Sequence, residues 1–255
     1  MIKFFRHIRK SLISENKMGI YFKYAIGEIL LVVIGILIAL QINTWNEERK
    51  ERNREQAILK NLQLEYNSNI GNVADAYNSF YEAYEASDKL LEIVASEDAI
   101  NPQEVDALLD VIINKTKSLD IITGTLDEIV STGSLNLITD ENLRKQLSNW
   151  SFFITDTQDD IVIYRDYLFG VFIPEITDKV NLKNLPIPDF FDKNLGFKPI
   201  PKSNFKIDYN KTIRTVEFEN QLYNNTLNYM YVLNSYKAFK DYLSGTLELI
   251  DGNIR

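Results

Sequence analysis

The stretch that most constrains this chain is Ile20–Trp45, IYFKYAIGEILLVVIGILIALQINTW. Its centre, Ile29–Leu40, runs for twelve residues without a polar side chain, and Ala25–Ile42 holds only Glu28 and Gln41 as strongly polar interruptions. Eighteen residues at about 1.5 Å each make a helix of roughly 27 Å, close to the thickness of a bilayer's hydrocarbon core. The pattern predicts a transmembrane helix over 21–45, with Tyr21, Phe22 and Tyr24 at one interface and Trp45 at the other. A cleaved signal peptide would need a shorter apolar core followed by small residues. Here the core runs into Gln41, Asn43, Trp45 and a charged segment, so an uncleaved anchor is expected.

Charge orients the anchor. Residues 1–24 carry Lys3, Arg6, Arg9, Lys10, Lys17 and Lys23 against Glu15, a net of +5, which leaves -13 of the chain's net -8 for the remainder. Beyond the helix, 46–55 has four cations and four anions. The basic flank therefore predicts a cytoplasmic amino terminus and an exported remainder, that is, a single-pass inner-membrane protein with a periplasmic domain. Within segment 1–20, Phe5, Ile8 and Leu12 fall at helical spacing, so the segment is expected to lie on the inner leaflet, with Lys3, Arg6, Arg9 and Lys10 contacting headgroups. The exported part has no cysteine and must hold together by packing alone.

From Leu59 to Val94 the apolar positions step alternately by three and four residues, with Asn69 and Ser87 the two polar members of the stripe. This predicts a helix over 46–96, unbroken from the membrane. Asn101 is placed to cap a helix over 102–117 with Pro102 at its first position. Thr125 is expected to cap a short helix, 125–133, which Gly133 ends, and Thr139 a long one, 139–180, striped by Leu143, Leu147, Trp150, Ile154, Ile161, Tyr164 and Leu168. A proline-rich loop, 181–211, precedes a last helix over 212–252. The predicted fold is all-α: one N-terminal transmembrane helix continuing into an elongated antiparallel up-down-up-down helical bundle over 46–255.

The available chemistry is narrow. The single histidine, His7, lies on the basic flank, and there is no thiol, so the domain lacks a serine–histidine triad, a cysteine nucleophile and histidine or cysteine zinc ligands. No glycine-rich phosphate loop is present. Asp156, Asp159 and Asp160 form the densest acidic cluster, without calcium-loop spacing, and read as a solvated helix face. Tyr77, Tyr84, Tyr164, Tyr229 and Tyr236 are core candidates that could alternatively line a ligand pocket. No catalytic, metal or cofactor-binding residue is expected, and an acidic domain without a basic patch excludes nucleic acid as a partner class.

The sharpest residue in the membrane segment is Glu28, because a carboxylate in an apolar helix is costly unless neutral, paired or close to water. Glu28, Val32, Gly35 and Ala39 fall on one helix face, and Gly35 with Ala39 makes a small-xxx-small pair that permits close helix approach. That face is the expected contact with a second transmembrane helix, from another copy or from another envelope membrane protein.

The amino terminus, FFRHIRKSLISENKMGIYFKYAIGEILLVVIGILIALQINTWNE, and the internal stretch LDEIVSTGSLNLITDENLRKQL resemble a family of small single-pass membrane proteins of unknown function common in Bacteroidota. The resemblance implies an inner-membrane anchor with a periplasmic helical domain, and it brings no activity or functional residue with it. The sequence thus points to a non-enzymatic membrane-anchored scaffold or accessory subunit of an envelope complex. The alternative is an extracytoplasmic four-helix ligand sensor signalling through a partner. A carboxylate-dependent hydrolase is a remote third.

Overall fold

The computed structural model describes residues 18–186, 196 and 200–255. The inner-leaflet contacts expected of Lys3, Arg6, Arg9 and Lys10 lie outside these residues, as do Pro188 and Pro199 of the proline-rich loop. Among the described residues there are helices, turns and irregular segments but no strand. The chain divides into two units, Met1–Ala57 and Ile58–Arg255, and one helix, α1 (Met18–Ala95), contributes to both.

In the first unit α1 carries the apolar run. Its most apolar eighteen-residue window has a mean hydropathy of 2.6 and no buried residue, so this helix is long and apolar enough to cross a membrane. Leu, Ile and Val side chains from Ile29 to Ile42 are exposed around the whole helix circumference. A helix that is hydrophobic all round has no polar face to give to water. Past Trp45 the surface becomes charged, with Lys50 bonded to Glu47 at 2.8 Å and Arg52 lying 3.7 Å from Glu48 along the helix.

The second unit is a helical bundle of four legs. The first is the part of α1 from Ile58 onward. The second comprises α2 (Pro102–Asn114), an irregular stretch and α3 (Gly124–Ser131). The third is α4 (Glu141–Ser148), α5 (Trp150–Tyr167), a π turn (Leu168–Phe172) and α6 (Ile173–Ile176); after α7 (Tyr209–Thr212), the fourth is α8 (Val216–Asn253). Their directions follow from who meets whom. Gln63 bonds Asp251, Phe80 packs on Tyr236 and Tyr229, and Ser96 meets Arg214, so α1 and α8 are antiparallel. Lys89 pairs with Glu104 and Asn69 with Ile122, so the second leg runs back along α1. Trp150 stacks near Tyr242 and Tyr167 bonds Gln221, so α5 also runs against α8. The up-down-up-down order expected for four such segments is the one observed.

The stripes form the core. Leu59, Leu62, Tyr66, Val73, Phe80 and Leu90 of α1 are buried against Leu143, Leu147, Tyr164 and Leu168 of the third leg and Phe218, Leu222, Tyr229, Val232, Tyr236 and Phe239 of α8. Fully burying one such side chain contributes about 1.5–3 kcal/mol.

Helix ends are set by local chemistry, and some differ from the sequence expectations. Asn101 caps α2 by accepting from the Gln103 N–H at 3.1 Å, with Pro102 at the first position; α2 ends at Asn114, before the expected Lys117. Thr125 does not cap α3: it lies inside the first turn, and the carboxylate of Glu65 on α1 accepts from the Thr125 and Leu126 N–H groups at 2.7 and 3.3 Å instead. Gly133 follows α3 in the left-handed conformation at φ 71°, which its missing Cβ permits. The third leg is capped by Asp140 rather than Thr139, through Leu143 N–H at 2.7 Å, and it is interrupted at Asn149 instead of running as one helix over 139–180. Pro174 has no N–H to donate, and its ring crowds the preceding turn. Just before it the helix widens, Ile173 N–H bonding Leu168 five residues back. The last helix starts at Val216, capped by Thr215, four residues later than its stripe suggests.

Candidate functional site

The most distinctive local arrangement is the grip of α1 on the irregular part of the second leg. Between Lys115 and Thr123 the chain is in neither helix nor strand, so its backbone groups need partners from elsewhere. Polar residues of α1 at positions 65, 69, 72 and 79 do so from one helix face. Ser79 Oγ accepts from Lys117 N–H at 2.9 Å and donates to Ala76 O, and Asn72 donates to Asp120 O at 2.9 Å. Asn69, fully buried, both donates to Ile122 O at 2.7 Å and accepts from Ile122 N–H at 2.8 Å. An amide side chain carries the same donor and acceptor as a backbone unit, so Asn69 pairs with Ile122 as a neighbouring strand would.

A second centre is aromatic. Phe80 is met edge-on by Tyr164, Tyr236 and Tyr229, with ring centroids at 5.0, 5.4 and 6.0 Å. Tyr229 donates to Ile112 O at 2.6 Å, and the Tyr164 hydroxyl shares a 3.2 Å bond with Thr116 Oγ1. Burial raises the pKa of Tyr164, Tyr229 and Tyr236 above the ordinary phenol range, and the Tyr236 hydroxyl is buried without a hydrogen-bond partner. Beside them a groove of about 260 Å³ opens between the second and third legs, lined by Phe80, Thr116, Lys117, Ile161, Tyr164 and Arg165, among others. A second aromatic layer joins Tyr66, Trp150, Phe153, Phe239 and Tyr242, the closest pair, Phe153 and Tyr242, stacking at 4.0 Å. The Tyr66 hydroxyl forms no hydrogen bond of ordinary geometry, and burial drives its pKa far upward.

The register that pairs Phe80 with Tyr229 and Ser96 with Arg214 puts Ser87 and Asn225 at about the same level of the α1–α8 pair. Both are fully buried, and Ser87 Oγ and both polar atoms of the Asn225 amide form no hydrogen bond of ordinary geometry. Such groups forfeit roughly 1–3 kcal/mol each.

The residues singled out by sequence are distributed as follows. Val32, Gly35 and Ala39 are exposed on α1 in the first unit, Glu28 is half-buried, and a Cβ on Gly35 would meet nothing within 4 Å. Among the tyrosines, Tyr164, Tyr229 and Tyr236 belong to the core, whereas Tyr77 and Tyr84 are half-buried and associate with the exposed Tyr81, at 6.2 and 6.0 Å. Asp156 and Asp159 are exposed on α5, while Asp160 accepts a hydrogen bond from Ser235. Among the described residues no group of three or more histidine, cysteine or carboxylate side chains is arranged to hold a metal ion.

Fold and surface thus define a helical bundle together with one apolar, membrane-length helix. Residues 28–152 match the sequence model of a family of unknown function (DUF6090). The matched part takes in most of the apolar run, the rest of α1, the second leg and the start of the third, and so both sides of the grip. No curated protein and no solved structure matches the chain.

Proposed function

We propose that this protein is a non-enzymatic module, anchored in the inner membrane by α1 with its amino terminus in the cytoplasm and its helical domain in the periplasm, that serves as a scaffold or accessory subunit of an envelope complex. The observation that carries this reading is how the inward-facing polar chemistry is used. Glu65, Asn69, Asn72 and Ser79 all bond the chain's own backbone, fixing the legs to one another instead of converging on a shared substrate position. The basic flank supports the orientation. Its partners are the bilayer and either a second copy or another envelope membrane protein, reached through the Glu28, Val32, Gly35 and Ala39 face.

Affinity purification from native membranes after mild cross-linking tests the reading. A stoichiometric partner or a homo-oligomer, lost in the Gly35→Leu variant, is the expected result; recovery of the protein alone as a monomer sinks it. The second reading, a ligand sensor acting through a partner, is favoured by one feature only, the groove beside Tyr164.

A further inference from the structure

We propose that the groove between the second and third legs binds a short amphipathic monocarboxylate, of about six to eight carbons, independently of whether the module scaffolds or senses. Its volume, about 260 Å³, equals that of roughly nine waters at about 30 Å³ each, which suits a ligand of about ten heavy atoms. It lies below the usual range of about 300–1,000 Å³ for drug-sized ligands. One part of its lining is hydrocarbon and aromatic, from Phe80, Ile113, Ile161 and Leu168. This part favours an apolar tail.

The remainder is built for an anion. Lys117 and Arg165 line the groove, both exposed. Several cations of this acidic chain sit within 4 Å of a carboxylate, among them Lys50 with Glu47, Lys89 with Glu104, Lys115 with Asp110 and Lys211 with Asp208. Among the described residues Lys117 and Arg165 have no such ion pair. Two uncompensated cations beside an apolar cleft, in a chain of net charge -8, are complementary to a carboxylate, and the guanidinium can take it through two parallel N–H bonds. Between tail and head lies the Thr116–Tyr164 hydroxyl pair. This pair supplies hydroxyl oxygens at the junction of the apolar and cationic parts of the lining.

The test uses the full chain in nanodiscs of zwitterionic lipid, methyl-labelled at isoleucine, titrated with sodium hexanoate and followed at the Ile113 and Ile161 methyls by NMR, with empty nanodiscs correcting for partitioning. Saturable shifts are expected, with acetate and hexan-1-ol each binding at least tenfold more weakly. Lys117→Glu combined with Arg165→Glu should weaken hexanoate at least tenfold and leave hexan-1-ol unchanged. Absence of saturable shifts, or equal binding of hexanoate and hexan-1-ol by the wild-type protein, overturns the proposal; so does a folded double variant that binds hexanoate as the wild type does. The wild-type comparison decides even where the double variant fails to fold.

Discussion

Replacing Asn69 by alanine is the most informative perturbation of the helical unit. The side chain is fully buried and makes two hydrogen bonds, 2.7 and 2.8 Å long, to the carbonyl and N–H of Ile122. Alanine removes both and leaves two backbone groups of the irregular segment without partners. A typical hydrogen bond contributes about 1 kcal/mol net, and each buried group left unsatisfied forfeits about 1–3 kcal/mol. Ile122 itself is 48% exposed, so water can reach part of the gap and the lower end of the range applies. The expected loss is about 2–3 kcal/mol, or roughly 4–12 °C in Tm for a domain of this size. Thermal unfolding followed by circular dichroism at 222 nm measures the loss, and hydrogen exchange at the Ile122 amide locates it. Asn69→Asp should be worse, because one carboxylate oxygen then faces the Ile122 carbonyl with no proton between them. A Tm within 1 °C of the wild type, with unchanged Ile122 protection, would show that the grip does not hold the second leg.

Two further outcomes follow from the core. Ser87→Ala removes a fully buried hydroxyl without a partner and replaces serine by a better helix former, so it should stabilise the protein by about 1 kcal/mol in denaturant unfolding; a loss of similar size would mean that the hydroxyl has a structural partner. Burial and its hydrogen bond to Asp106 push the Tyr209 phenol up to about 12 from an unfolded value near 10. A raised folded pKa gives stability that is complete below pH 10 and lost as pH rises toward 12. Tyr209→Phe should flatten that part of the pH–stability curve, and an unchanged alkaline slope would contradict the assignment.

The long elements were legible because their cores repeat. Alternating steps of three and four along α1, the third leg and α8 specify an all-helical bundle, and the bonds Gln63–Asp251 and Tyr167–Gln221 show the first and third legs running antiparallel to the last. What escaped sequence reading was chemistry between distant segments. Thr125 has the residue type of a cap, but Glu65, sixty residues earlier, does the capping. Asn69 and Ser87 look alike as polar interruptions of one stripe, yet Asn69 pairs with Ile122 and Ser87 with nothing. The spacing of Glu65, Asn69, Asn72 and Ser79 on one face was the available signal, and it is interpretable only once an irregular segment and the start of α3 are known to run opposite. The groove escaped for the same reason, since Lys117 and Arg165 stand forty-eight residues apart and meet through the packing of two legs.

An anchored module with its helical domain outside the cytoplasm leaves the two flanks of α1 in different compartments. The chain has no cysteine, so single cysteines can be introduced without background. Ser14→Cys reports on the basic flank and Ser131→Cys on an exposed position of the helical unit. Labelling of intact, outer-membrane-permeabilised cells with a membrane-impermeant maleimide is predicted to modify Ser131→Cys at once and Ser14→Cys only after lysis. Labelling of Ser14→Cys alone before lysis, or release of the protein from membranes by carbonate, would contradict the account.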